Sequence, residues 1–432
     1  MENTHKMKNT PIGLIPDGWS ARPLGDLCEI HGRIGFRGYT KADLVRKGEG
    51  AITFSPSDIY DQRISYKDCD YISWAKYTES PEIQVKEGDI LFCKTASIGK
   101  CAQIWDLKEK ATINPQFVLL NDFKCNSSLL YYMLAFSSFQ NRVLVITGGS
   151  TIPTISQEAM KKQLIPIPDA PEEQRRIADT LLSIDKIIGA LDEAITKKRQ
   201  IKDGLMQQLL TGIQRVDGHH SEFVQSEVGV IPKDWRLTKL NEVIEDINDG
   251  PFGSNLKREH YTLDHEVRIV QLGNVGEDGW NDDNVKYTTF GHAKTLKRCI
   301  IPYGSVIIAK MMPAGRAIIC PNKDPMYIQG SDVIKVKFSS GLDNNFFVYY
   351  TKTRSYLDQI DSSLQGSTRA RTNISKIKSL LIPLPTIEEQ KKIVEVLSSA
   401  DNDLISLVAL KAKYRLIKQG MMQELLTGKT RL

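Results

Sequence analysis

The chain has 432 residues, 41% of them hydrophobic and 25% charged, with 57 Lys plus Arg against 52 Asp plus Glu and a net charge of +5. At roughly 150 residues per domain this length exceeds one core and suits two or three. The ordinary composition excludes a disordered, collagen-like or acidic low-complexity chain, and the small positive charge permits a polyanionic partner without requiring one.

The opening MENTHKMKNTPIG carries charge but no apolar core, and no later stretch approaches about 18 uninterrupted apolar residues, so a cytoplasmic protein with no membrane partner is expected. The seven cysteines are odd in number and form no CxxC pair, which points to reduced packing thiols rather than a disulfide framework or a zinc site.

Residues 1–164 alternate short apolar runs with Gly, Pro, Asp and Ser, as in AITFSPSDIY, GDILFCK and NPQFVLLNDF, a pattern of strands and turns. SSLLYYMLAFSSFQNRVL (127–144) then has helical periodicity, so a mixed α/β domain with mainly antiparallel sheet is expected. Its basic residues gather in loops: Arg33, Arg37 and Lys41 in HGRIGFRGYTK, and Lys94 and Lys100 in GDILFCKTASIGK. Such loops suit DNA, because arginine bonds bidentately to phosphate and to the guanine edge. Ser150 and Thr151 in GGST add hydroxyls and a turn that could receive a phosphate. A solvated surface or a plain turn explains any one of these clusters equally well.

Residues 165–212 open on a proline-rich turn, and Asp169-x-x-Glu172 has the spacing of a capping box. Apolar residues follow at steps of four and three, Ile177, Leu181, Ile184, Ile188, Leu191 and Ile195, then Ile201, Leu205 and Leu209, which is a coiled-coil seam. Thr211-Gly212 closes the segment, as where glycine takes a left-handed C′ position. Some 40 residues at 1.5 Å each give a helix about 60 Å long, too long to bury its stripe on its own domain. Residues 213–228 have no sustained period and read as a linker; His219-His220 within it lacks partners at metal-ligand spacing.

From Gly229 the chain repeats itself. Gly13 to Trp19 (GLIPDGW) recurs as Gly229 to Trp235 (GVIPKDW), displaced by 216 positions, and Gly88, Lys94, Gly99 and Lys100 map onto Gly304, Lys310, Gly315 and Arg316. Residues 229–381 therefore form a second mixed domain. NNFFVYYTKTRSYLDQI (344–360) is the counterpart of the first domain's helix, and candidate DNA contacts are Lys257, Arg258, Lys310, Arg316, Thr368, Arg369 and Arg371. Residues 382–432 repeat the helix, with Thr386-x-x-Glu389 as the cap and Ile393, Leu397, Ala400, Leu404, Leu407, Tyr414, Ile417, Met421 and Leu425 as the seam. Of the 41 pairs between 172–212 and 388–428, 19 are identical. Two such seams predict an antiparallel helix pair with pseudo-two-fold symmetry, a spacer between two domains.

Catalytic signatures fail. Asn114-Pro115-Gln116-Phe117 resembles the base-holding tetrad of amino-methyltransferases but lacks its second proline, and no glycine-rich cofactor loop follows a strand. Gly428-Lys429-Thr430 ends a helix where a phosphate-binding loop would begin one, and Pro81-Glu82 with Asp106-Leu107-Lys108 is too loose a nuclease pattern to carry weight. The chain reads as non-catalytic.

With the repeat, the IPIPDAPEEQRRI and IPLPTIEEQKKI turns and the QQLLTG and QELLTGKTR ends in view, the sequence closely resembles the specificity subunits of type I restriction-modification systems over nearly its whole length. The resemblance implies two target recognition domains, each reading one half of a bipartite, asymmetric site in double-stranded DNA. Between them the helices would set the unread spacer, about 12 to 17 base pairs for a rod of roughly 40 to 60 Å. It also implies two docked copies of a modification (methyltransferase) subunit, with Ile177, Leu181, Ile184, Ile188, Leu191, Ile393, Leu397, Leu404 and Leu407 as spacer and docking positions, and restriction (motor-nuclease) subunits beyond them. No cofactor is expected on this chain; S-adenosylmethionine, ATP and magnesium would sit on the partners. A bivalent coiled-coil scaffold that binds protein is the rival reading, and steep salt dependence of duplex binding would separate the two.

Overall fold

The computed structural model describes residues 6–147, 152–218, 221–311, 313–364 and 370–432. Among these, six helices run for seven residues or more: α1 (Ser127–Ala135), α2 (Ser137–Thr147), α3 (Pro171–Leu210), α4 (Asn344–Tyr350), α5 (Arg354–Leu364) and α6 (Ile387–Leu425). The chain divides into two units, Met1–Asp192 with Ala409–Leu432, and Glu193–Val408. This is not the division of the repeat. Each unit holds one variable domain, the first part of its own long helix and the last part of the other.

In the first unit two four-stranded sheets face each other. One, Cys101–Gln103, Ile90–Cys93, Phe117–Asn121 and Glu29–His31, is antiparallel throughout. The other, Ala111–Ile113, Gly50–Phe54, Asp70–Ser73 and Leu44–Val45, has one parallel pair at Ala111–Ile113. Strand alternation assigns the faces. Leu91, Cys93, Phe117 and Leu119 pack with Ile52 and Phe54 between the sheets, while Ile90, Phe92, Val118 and Leu120 pack against α1 and the start of α3. The second unit repeats the plan with Ile244–Asp249, Val333–Phe338, Val306–Ala309 and Ala317–Ile319 in one sheet and a five-stranded sheet with one parallel pair, Val267–Val270 with Tyr327–Gln329.

Each expected domain helix is broken in two. Phe136 takes an extended backbone (ψ 141) between α1 and α2. Residues 128–134 of α1 are buried all round, and a straight continuation would carry Gln140, Asn141 and Arg142 into the same environment; with the bend of 59° Asn141 is exposed, Gln140 donates to the Gly99 and Leu134 carbonyls and Arg142 to that of Leu164. Thr351 to Thr353 interrupt the second copy in the same place, between α4 and α5.

The two ends of each domain meet as a strand pair, Trp19–Pro23 with Leu164–Pro168 and Arg236–Lys239 with Leu381–Leu384. A two-stranded ribbon precedes each, and the second, Phe223–Ser226 with Gly229–Pro232, draws part of the expected linker into regular structure. The N-terminus of α6 is capped as expected, Glu389 N–H donating to Thr386 Oγ1 at 3.3 Å. In α3 the first helical residue is Pro171, two past Asp169, because proline is pre-set for that position and has no N–H to satisfy.

Ion pairs fix the direction of the long helices within each unit. Asp185 meets Lys418 at 2.8 Å and Asp192 meets Lys411 in the first; Lys198 meets Asp403 at 2.6 Å and Lys202 meets Asp401 in the second. Numbers rise along one helix as they fall along the other, so the pairing is antiparallel. Gly212 (φ 71) and Gly428 (φ 66) end α3 and α6 in the left-handed region, as expected, and a Cβ there would lie 2.3 Å from Pro232 Cγ and 2.2 Å from Pro16 Cγ.

Candidate nucleic-acid interface

Each domain is fastened to the helices by the same group of side chains. In the first unit Glu173 is 4% exposed and accepts from Trp19 Nε1 at 3.3 Å and from the Arg431 fork, with Nη2 at 2.5 Å, while Arg431 Nη1 donates to the Asp17 carbonyl at 2.8 Å. In the second, Glu389 accepts from Arg215 Nε at 2.5 Å and Nη2 at 2.8 Å, and the guanidinium lies over the Trp235 ring. Gln174 and Gln390 each accept from the backbone N–H of the residue that precedes α1 and α4, Asn126 and Asp343. About three turns further along the long helices, Tyr132 donates to Asp185 and Tyr349 to Asp401 at 2.7 Å. Burial, reinforced by these carboxylates, raises both phenols, that of Tyr349 to about 12.

The seam residues serve this attachment. Ile177, Leu181, Ile393 and Leu397 are buried in the cores of their own units, Ile184 and Ile188 are buried, and Leu191, Leu404 and Leu407 are half-buried. Ile201 and Ile417 are exposed.

In the second domain, loop 248–255, the turn after the short helix Phe290–Thr295, the end of strand Val306–Ala309 and residues 371–374 enclose a cleft of about 1160 Å³. Lys310, an expected contact, is buried in its wall, with Nζ 2.5 Å from Asp249 and 3.0 Å from the Ser331 carbonyl. Arg371 lines the same cleft and meets Asp332 at 2.9 Å. Lys294, Lys297 and Arg298 are exposed along it, and Phe252 stands 83% exposed at its edge.

The first domain carries the same frame with different chemistry. The Ile155 N–H donates to the Lys94 carbonyl as the Thr372 N–H does to that of Lys310. Continuing the strand register by one residue puts Gly32 where Asp249 stands, and a Cβ on Gly32 would lie 2.2 Å from Gln157 Nε2 and 3.5 Å from Lys94 Nζ. Lys94 is half-buried, and burial lowers its pKa with no carboxylate to offset it.

The remaining expected contacts scatter. Arg33 is 6% exposed and donates to the Ile113 and Arg37 carbonyls and to Thr112 Oγ1, so its fork is used inside the domain. Arg37 pairs with Glu82 at 3.4 Å, Lys41 is exposed, and Lys257 lies 3.7 Å from Glu259 beside the exposed Arg258. Lys100 donates to the Pro56 and Ile59 carbonyls and Arg316 to that of Val275, equivalent structural duties in the two copies. Ser150, Thr151, Thr368 and Arg369 lie outside the described residues.

Sequence reasoning missed Asp249 and Asp332, since a search for cations passes over carboxylates. It also missed the Glu173–Arg431 and Glu389–Arg215 pairs, although their signal was present: the repeat runs past Thr-Gly to Arg215 in TGIQR and Arg431 in TGKTR.

The family model for the type I restriction modification DNA specificity domain matches residues 16–202 and 232–414. The "Putative type I restriction enzyme MjaX specificity subunit" of Methanocaldococcus jannaschii is 29% identical over 98% of this chain and 96% of its own length. The type I restriction enzyme MjaVIII specificity subunit of the same organism is 26% identical over 97% and 94%. Among solved structures, the type I restriction-modification S subunit from M. genitalium superposes with a TM-score of 0.58 at 15% identity, covering 98% of this chain and 99% of that one. A chain from a study of complex assembly and conformational transition of the type I R-M system gives 0.56 at 16%, covering 96% and 99%.

Proposed function

We infer the function from the family: the chain belongs to the type I restriction-modification DNA specificity family, and it is a non-catalytic subunit that gives a type I complex its DNA sequence specificity. Each domain reads one half of a bipartite site, the second through its cleft, and α3 with α6 sets the unread spacer. The observation that carries this reading is the duplication of one frame at an offset of 216 with different side chains at equivalent places, Gly32 and Lys94 in the first domain against Asp249 and Lys310 in the second. A common frame with divergent lining is what two readers of unlike half-sites require, and linking them raises the effective concentration of the second contact.

The reaction belongs to the partners. Two modification subunits, one for each half of the repeat, bring S-adenosylmethionine and methylate the site; restriction subunits add ATP- and magnesium-dependent translocation and cleavage. Replacing residues 229–381 by the corresponding domain of another family member changes one half of the methylated site. A methylome in which both halves change, or neither does, would refute the modular reading. An insertion of one heptad near Thr196 lengthens the spacer between the methylated halves, and an unchanged spacing would refute the ruler.

A further inference from the structure

The second domain's cleft holds two cation–carboxylate pairs, Lys310–Asp249 and Arg371–Asp332, and they are not alike. In the first pair the lysine is buried and engaged on both sides, by Asp249 and by the Ser331 carbonyl, whereas the Asp249 side chain is 47% exposed. In the second the arginine side chain is 42% exposed, held through Nη2 by Asp332. Exposed ion pairs contribute little stability, so the Arg371–Asp332 pair is not explained by folding alone, whereas Asp249 also supplies the counter-charge that the buried Lys310 requires. What they do is orient. Asp332 occupies one donor of a five-donor fork and leaves the others to the cleft. Lys310 neutralises Asp249 from behind, so that a carboxylate can stand where polyanionic DNA must approach and still offer its remaining lone pairs. Thr372, 1% exposed, lines the same cleft with a hydroxyl that has no hydrogen-bond partner among the described residues.

We propose that Arg371 and Asp249 are specificity-determining side chains of the second domain, Arg371 presenting a donor fork to a guanine edge and Asp249 accepting the exocyclic amino group of a cytosine or adenine. Guanine O6 and N7 take a bidentate arginine, and amino groups on the major-groove edge take an acidic acceptor. The assignment rests on the DNA-reading function above and adds which side chains perform it. It also separates the two halves: with Gly32 in place of the carboxylate, the first domain has the Gln157 amide and the Lys94 ammonium as donors where the second has an acceptor. The exposed Lys294, Lys297 and Arg298 along the second cleft are suited to phosphates, which position without specifying.

The test uses the full chain co-expressed with its modification subunit. The methylome of cells carrying the wild-type complex defines both half-sites, and binding to duplexes substituted at each base then measures discrimination. Arg371→Ala lowers discrimination at one guanine of the second half roughly tenfold or more. Asp332→Asn relaxes the same position, Asp249→Asn relaxes a different one, and the first half stays unchanged. Lys294→Ala weakens all duplexes alike and reduces the salt slope by about 1. Should the alanine variant fail to assemble, Arg371→Lys decides, since it keeps the charge and removes the fork. Wild-type discrimination at every base of the second half in assembled Arg371 and Asp249 variants overturns the assignment. A wild-type complex that discriminates no bases would instead sink the DNA-reading function itself.

Discussion

Removing the Arg431 side chain, from the second-last residue of the chain, should loosen the first domain. Glu173 is 4% exposed and Arg431 27%, so Arg431→Ala leaves a nearly buried carboxylate with only the Trp19 indole N–H as a side-chain donor. Taking one partner from a buried pair costs about 3 to 5 kcal/mol; the part-exposed guanidinium and the surviving indole bond lower the expectation to about 2 to 3 kcal/mol. Because the chain has two units, one melting temperature would blur the effect. Native-state hydrogen exchange resolves it: opening free energies should fall by that amount at Trp19–Pro23 and Leu164–Pro168 and stay unchanged at Arg236–Lys239 and Leu381–Leu384. Adding Glu173→Gln removes the stranded charge and should restore about 1 to 2 kcal/mol. A loss below about 0.5 kcal/mol, or no restoration by the glutamine, would refute the claim that this pair closes the unit.

Gly428→Ala should cost about 2 kcal/mol or more, since it meets both φ 66 and Pro16, whereas Gly204→Ala, in open space within α3, should stabilise by about 0.5 to 1 kcal/mol; urea melts of the two variants check the opposite signs. Burial pushes the Asp89 carboxyl up to about 6. A raised acid pKa means that the folded state binds more protons between about pH 4 and 6, so this group's contribution to stability falls as pH rises through that window and is level above it. Asp89→Asn should therefore raise the melting temperature at pH 7.5 and leave it little changed at pH 4; equal shifts at both values would contradict the burial argument. Lys94→Met should leave stability unchanged or raise it by up to about 1 kcal/mol, because an ammonium held half-buried without a carboxylate is a burden, while weakening duplex binding in filter or fluorescence assays. A variant that loses stability and keeps its binding would make Lys94 a structural residue.

The helical frame was legible because it is periodic and duplicated. A seam of apolar residues with a three-four step points to a helix, and its second copy, identical at 19 of 41 positions, identified the partner, so the long helices follow from spacing and their antiparallel pairing from the duplication. The broken domain helices were not legible. Apolar residues continue through Phe136 at helical spacing, and only the all-round burial of α1, a tertiary fact, forces the bend. The second domain's cleft was half legible: Lys310 and Arg371 were found as cations, but so was Arg33 of the first domain, which spends its fork on the Ile113 and Arg37 carbonyls and on Thr112. A basic residue in a glycine-rich loop does not announce whether its carbonyl partners lie inside the domain or its phosphate partners outside.

The duplication also explains why the two units are not the two repeats. Copy one supplies Glu173 and Trp19 to the first unit, and the arginine that pairs with Glu173 comes from the end of copy two; the second unit reverses the exchange with Arg215, Glu389 and Trp235. Neither copy can therefore complete its own buried carboxylate. An isolated first repeat would bury Glu173 without a guanidinium and expose the stripe that Met422, Leu425 and Leu426 cover, a double penalty that favours the tandem arrangement over a free half. The same reciprocity passes each domain's attachment through both long helices, so a substitution at the end of one helix is felt in the domain encoded by the other copy. Arg431 belongs to the second repeat by sequence and to the first domain by contact, and its loss should loosen the reader of the first half-site while leaving the second intact.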